Sequence, residues 1–144
     1  MRRSGPALLA GLVAGLVACT PQPALLPVSN DNQLTATLWR VEDLNGAGIM
    51  DYALLSIDFS TDGRVSGDAG CNSFTGSYEI GGAGEMKVGP LISTRKLCSA
   101  EALMLQERRF LDALGAVERY EFVTIGALQL KGPEGKNILA LPVD

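Results

Sequence analysis

Five side chains in this sequence could do chemistry: Cys19, Asp68, Cys71, Cys98 and Glu107. Cys71 sits in GDAGCNSFTGSYE, residues 67–79, among three glycines, an asparagine and two aromatics. A thiol in that setting could be a nucleophile, a metal ligand, a redox group or half of a disulfide. No C-x-x-C spacing is present, which disfavours dithiol exchange. The chain has no histidine, so a His-based triad is excluded, and two cysteines alone fall short of the four ligands of structural zinc. No catalytic residue, cofactor or metal ligand is therefore expected. One isolated carboxyl, Glu107 or Asp68, is thin support for acid–base catalysis without a second acid or a metal.

The fate of the thiols depends on the compartment, which the N-terminus addresses. Arg2 and Arg3 precede an apolar run, residues 7–18. That run fits the core of an export signal and falls short of the roughly 20 residues that span a bilayer. It ends in Leu16-Val17-Ala18-Cys19, which resembles the lipobox of bacterial lipoproteins. The resemblance implies that Cys19 is lipidated and becomes the first residue of the mature chain. Two or three acyl chains anchor far more firmly than one. Thr20, not Asp, follows the cysteine, which by the family's rules favours the outer membrane and a periplasm-facing body.

The expected organisation is a leader over 1–18, a lipidated Cys19 with a flexible tether over 19–33, and a folded domain over 34–144. Pro21, Pro23 and Pro27 keep the tether extended. Loss of the leader leaves ten basic and sixteen acidic residues, a net charge of −6. Such a balance, with no basic cluster, argues against nucleic acid or an anionic membrane face as partner. Cys71 and Cys98 remain as an even pair in an exported chain, where a disulfide is the default. Closing that loop would be worth about 3–4 kcal/mol in the chain-entropy account.

The elements that must position these groups are mostly short strands. LSIDFS alternates Leu55, Ile57 and Phe59 with Ser56, Asp58 and Ser60, the period of a half-buried strand. TDG at 61–63 and GPEG at 132–135 read as turns. Seven to nine such segments broken by glycine predict a small curved antiparallel sheet or cracked β-barrel, mainly β with one helix. The helix is expected over about residues 100–114, with Ser99 as N-cap and Gly115 as stop. Leu103, Phe110, Leu111 and Leu114 share its apolar face, and Arg108, Arg109 and Asp112 face away. Glu107 falls within the apolar stripe. One reading lays its stem flat and lets the carboxylate escape at the helix edge. The sharper reading buries it, with hydrogen bonds from the GCN or STR segments or an ion pair with Arg95, because an unpartnered buried carboxylate is very costly. Glu107 and Asn72 are thus the expected structural buried polar residues.

LWRVEDLNG, GRVSGDAGCNSFTGSYE, GPLISTRKLCS, QERRFLDALGAVERYEF and LQLKGPEGKNILAL, in that order, resemble the META domain family, which includes HslJ-like bacterial envelope lipoproteins. The most specific positions are Gly70, Cys71, Asn72, Phe74, Gly76, Tyr78, Thr94 and Cys98. Leu97 departs from the alanine common there. The resemblance implies a curved antiparallel sheet with one helix, related to the cracked barrel of secretin pilot lipoproteins, and no agreed catalytic residues. The expected lipid anchor, the tether, the small barrel-like body and the missing catalytic set point to a monomeric, non-enzymatic envelope lipoprotein. Such a protein would bind or stabilise another envelope protein or an apolar ligand, in a setting of envelope stress or drug tolerance. The alternatives are an envelope hydrolase using Glu107 or Asp68, a purely structural component, and a protease inhibitor, for which the sequence alone exposes no obvious loop. The anchoring expectation has a direct check. Cys19→Ser should release the protein from membranes or block its processing, read by fractionation in high salt; a processed variant that stays membrane-bound would refute it.

Overall fold

In the computed structural model, residues 31–123 and 126–143 are described; Cys19, the leader and nearly all of the tether lie outside them. The alternation read from the sequence produces a run of short strands. Helix α1 (Asp31–Thr35) leads into β1 (Leu38–Leu44), β2 (Ala47–Gly48), β3 (Ser56–Phe59), β4 (Arg64–Asp68), β5 (Ser73–Ile80), β6 (Met86–Val88) and β7 (Ile92–Ser93). Helix α2 (Glu101–Gly115) is followed by β8 (Arg119–Phe122), β9 (Leu128–Lys131) and β10 (Asn137–Val143). The folded body thus includes Asp31–Gln33, which were expected in the extended tether and form the first residues of α1.

All pairings are antiparallel, in the order β6-β5-β4-β3-β1-β10-β9-β8, with β2 on β1 and β7 on β5. The two ends of this path meet. Glu85 bridges Arg119, and the Met86 N–H donates to the Glu118 carbonyl at 2.9 Å. The sheet is a nearly closed barrel, the curved or cracked barrel expected. Closure removes most of the exposed strand edge that invites aggregation.

Inward-facing residues of every long strand fill the interior. Trp39, Ile57, Phe59, Val65, Leu128, Leu130 and Ile138 are essentially inaccessible to solvent. Burying each large apolar side chain stabilises the fold by about 1.5–3 kcal/mol. Helix α2 adds Phe110 and Leu114 to this core. Phe110 meets Phe74 edge to face, with ring centroids 5.6 Å apart. The helix starts one residue later than expected, with Ala100 rather than Ser99 at the N-cap position and no side-chain cap bond.

The two helices mark opposite ends of the barrel. The Trp39 indole N–H donates to the Leu34 carbonyl of α1 at 3.0 Å, near the start of β1. Leu44, at the far end of β1, lines a cleft with Ala102, Leu105 and Gln106 of α2. Strand β5 runs between these ends. Its Tyr78 hydroxyl reaches the Ser60 carbonyl, and its first residue, Ser73, abuts the turn under α2.

Tyr120 of β8 fastens α1 to the barrel by donating its hydroxyl proton to Asp31 Oδ1. Burial first, and the Asp31 carboxylate second, push its pKa from the usual 10.0 up to about 12. A pKa raised by folding means that the native state holds the proton more tightly than the unfolded chain. The contribution is intact below pH 10 and is lost as pH rises from about 10 to about 12. Denaturant midpoints should therefore fall on moving from pH 9 to pH 11.5, and Tyr120→Phe should flatten that fall. An equally steep decline in the variant would contradict the assignment.

Candidate functional site

The G-C-N turn between β4 and β5 is built around backbone that an ordinary residue resists. Gly70 has φ +105°, and a Cβ there would stand 3.1 Å from Leu103 Cδ1 of α2. Glycine relieves the strain and lets the helix close over the turn. Upstream, Gly67 lets β4 pass β3, since a Cβ would lie 2.0 Å from the Ser56 carbonyl oxygen. These approaches bring Asn72 directly beneath α2.

Glu107 is buried, 9% exposed, and its carboxylate is directed at Asn72. The Asn72 backbone N–H donates to Oε2 at 3.0 Å. The Asn72 amide nitrogen donates to Oε1 at 2.9 Å and Oε2 at 3.2 Å. The acceptor side of the same amide serves the opposite segment: Asn72 Oδ1 accepts from the Lys96 N–H at 2.7 Å and from the Thr94 hydroxyl at 2.8 Å. Thr94 Oγ1 in turn accepts from the Ser73 N–H at 3.2 Å. With acceptors on one side and donors on the other, only one orientation of the Asn72 amide fits. The network links α2, the G-C-N turn and residues 94–96, and charge-assisted bonds of this kind are among the stronger ones.

Cys71 and Cys98 flank the network. Their Cα atoms are 6.0 Å apart and their sulfurs stand at disulfide distance, within the usual span for such a bond. Cys71, Cys98 and a Glu107 oxygen form a cluster within 4.8 Å. As a donor set it would need free thiolates, which a disulfide removes. Its carboxylate is also already engaged by Asn72.

Of the partners expected for Glu107, the GCN segment supplies them all. Arg95 is exposed and makes no ion pair with it among the described residues. Asp68 is also exposed; it accepts from the Ser73 hydroxyl at 3.0 Å and shares no hydrogen bond with Glu107. The structure therefore does not assemble the two carboxyls into an acid–base pair.

Two features were missed from the sequence. The first is Gln106, also 9% exposed, whose Oε1 accepts from the Met50 N–H at 3.1 Å. Its Nε2 has no partner among the described residues. The signal was present: Leu103, Gln106, Glu107, Phe110 and Leu114 follow the i, i+3, i+4, i+7 spacing of one helix face. The second is the segment Thr94–Cys98. It runs without turn or bend, exposes Thr94, Arg95, Lys96 and Leu97, and bends only at Ser99. Leu97 is 96% exposed.

Comparison with known proteins follows from this geometry. The META domain family matches residues 32–144. The chain is similar to an NMR structure of a protein from Burkholderia xenovorans, with TM-score 0.64 and 20% identity over 92% of this chain and 99% of that one. It is also similar to a second protein solved by NMR, with TM-score 0.60 and 23% identity over 76% and 91% of the two chains. A DUF4847 family protein from Bacteroides vulgatus, solved by crystallography at 1.00 Å, gives TM-score 0.53 and 15% identity over 79% and 96%. At these identities the likeness concerns the fold alone. No curated protein matches the chain.

The network makes a mutational prediction. Glu107→Ala should destabilise the protein by about 1–3 kcal/mol, because two buried Asn72 donors lose their acceptor. Glu107→Gln should not restore full stability, since its amide NH2 would face one of those donors. Urea midpoints decide it; an alanine variant as stable as the parent would remove the network from the account.

Proposed function

Since this chain belongs to the META domain family, we propose that it is a non-enzymatic envelope lipoprotein whose body binds or stabilises another envelope protein. The observation that carries this reading is the use made of Glu107. Its two oxygens are taken by Asn72, so the buried charge holds the 94–96 segment in place and is not free to act on a substrate. A hydrolase would require a carboxyl presented to a cleft beside a second reactive group. Here Asp68 is in solvent with Ser73, and among the described residues the groups hydrogen-bonded to Glu107 all belong to Asn72. What the network does produce is a fixed, exposed surface at one end of the barrel, which suits recognition.

A second version, binding of an apolar ligand, is favoured by the cleft where Leu44, Met50, Ala102 and Leu105 surround Gln106. Its amide nitrogen has no partner among the described residues and would donate to a polar group of such a ligand once entry of the ligand uncovers it. The lipid anchor at Cys19, the tether and the periplasm-facing, outer-membrane placement complete the proposal. They rest on the sequence features at the N-terminus.

The test is photocrosslinking in the native envelope. A photoreactive residue replacing Leu97 should give one dominant adduct, identified by mass spectrometry as another envelope protein. The same residue at Glu134, exposed on the β9–β10 turn, should give none of it. Equal, diffuse labelling from both positions would refute a binding surface at this end.

A further inference from the structure

The Thr94–Cys98 segment has the form in which a peptidase cleft accepts a polypeptide: free of turn or bend, unpaired along its outer edge and with one side chain fully projected. We propose that it is an inhibitory loop. On this proposal it occupies the cleft of an endopeptidase with an apolar primary pocket, and Leu97 fills that pocket. The proposal rests on the binding reading above and names its partner class.

A single exposed leucine needs no explanation by itself. Here its backbone is held from both sides. Thr94 is fixed by its N–H to the Ser73 carbonyl at 3.0 Å. Lys96 is fixed by its N–H to Asn72 Oδ1 at 2.7 Å. Cys98 is placed beside Cys71, 6.0 Å away between Cα atoms. Between these fixed points, the N–H groups of Arg95 and Leu97 have no partner among the described residues. Residues whose main chain faces the body thus alternate with residues whose main chain faces outward. An incoming strand pairs with such an edge by main-chain hydrogen bonds, and side-chain pockets supply the specificity. Because the segment is already braced, little conformational entropy remains to be lost on binding.

Bracing also explains how such a loop would resist digestion. Attack on the Leu97 carbonyl by the enzyme's nucleophile breaks the Leu97–Cys98 bond, and the Cys98 nitrogen leaves as an amine after taking up a proton. The acyl side stays attached through Lys96 and Asn72. The amine side stays attached through the bond between Cys98 and Cys71 and through α2. The amine is therefore held at high effective concentration over the acyl-enzyme. It can attack that ester, reform the peptide bond and return the enzyme's nucleophile and the proton, with no net consumption of water. In an unbraced loop the amine would diffuse away, and water would complete hydrolysis.

The test uses the full, lipidated chain in detergent, with chymotrypsin as a probe with an apolar pocket and trypsin as a probe with an acidic one. The chain should inhibit chymotrypsin stoichiometrically on a small chromogenic peptide and trypsin far less. Leu97→Gly, a change at a solvent-exposed position, should weaken chymotrypsin inhibition by at least about 100-fold, the scale of a hot-spot loss. Leu97→Arg should transfer the inhibition to trypsin. The Cys71→Ser/Cys98→Ser double variant should become a substrate, cut between residues 97 and 98. Rapid cutting of the unmodified loop, absence of inhibition, or inhibition unchanged in Leu97→Gly would each overturn the proposal. A non-peptidase adduct at position 97 in the envelope, with no inhibition here, would overturn this inference and leave the binding reading standing.

Discussion

The contact between Glu107 and Asn72 organises the end of the barrel beneath α2. Three segments distant in sequence converge there: the G-C-N turn, residues 94–98 and the middle of α2. The first two have almost no regular ladder of their own, so their backbone polar groups must find side-chain partners. Asn72 supplies them because its amide offers donors on one side and an acceptor on the other. Glu107 fixes which side is which. Remove the carboxylate and the amide loses its reason to point Oδ1 at Lys96 and Thr94.

The cysteine pair and the polar network act on different states of the chain. A cross-link between Cys71 and Cys98, 27 residues apart and at disulfide distance, would act chiefly on the unfolded ensemble, by shortening the loops available to it. In the folded state it fixes only the Cys98 end of the segment and leaves the path of residues 94–97 to the polar network. The network does the reverse, specifying local geometry at the cost of desolvating a carboxylate. Replacing a buried charge with apolar side chains is often neutral or stabilising elsewhere. Its presence here is better understood as a device for holding one conformation of an exposed segment than as a source of net stability.

The strand alternation around LSIDFS, the turns at 61–63 and 132–135 and the helix near 100–114 were legible because period-2 and period-3.6 patterns report which face is buried. Glu107 was legible for the same reason, as a charge on an apolar stripe. Less legible was what depends on distance in three dimensions. The choice of GCN over Arg95 as partner requires knowing that Gly70 lets Leu103 approach. Ala100 takes the N-cap position where Ser99 was expected, and no side-chain bond compensates, so local capping propensity did not set the helix start. Asp31–Gln33 read as tether because their polar composition hides Leu34, which is 0% exposed and pins the short helix to Trp39. The extended exposure of residues 94–97 has no periodic signal, since irregular backbone held by side chains leaves none.

The same strand that joins the two ends of the barrel sets the direction in which the braced segment faces. Strand β5 begins at Ser73 beside Asn72 and passes Tyr78, which reaches Ser60 near α1. At about 3.3 Å per residue, the path from Ser73 to Tyr78 spans roughly 17 Å. Asp31, the first described residue, is tied by Tyr120 to the α1 end. The attachment point of anything preceding Asp31 therefore lies at one end of the barrel and the 94–98 segment at the other. For a chain held at Cys19 by lipid, the tether would join the body at the end remote from that segment. Leu97 would then lie on the end of the body opposite its attachment point, where the tether itself would not crowd a partner approaching the segment.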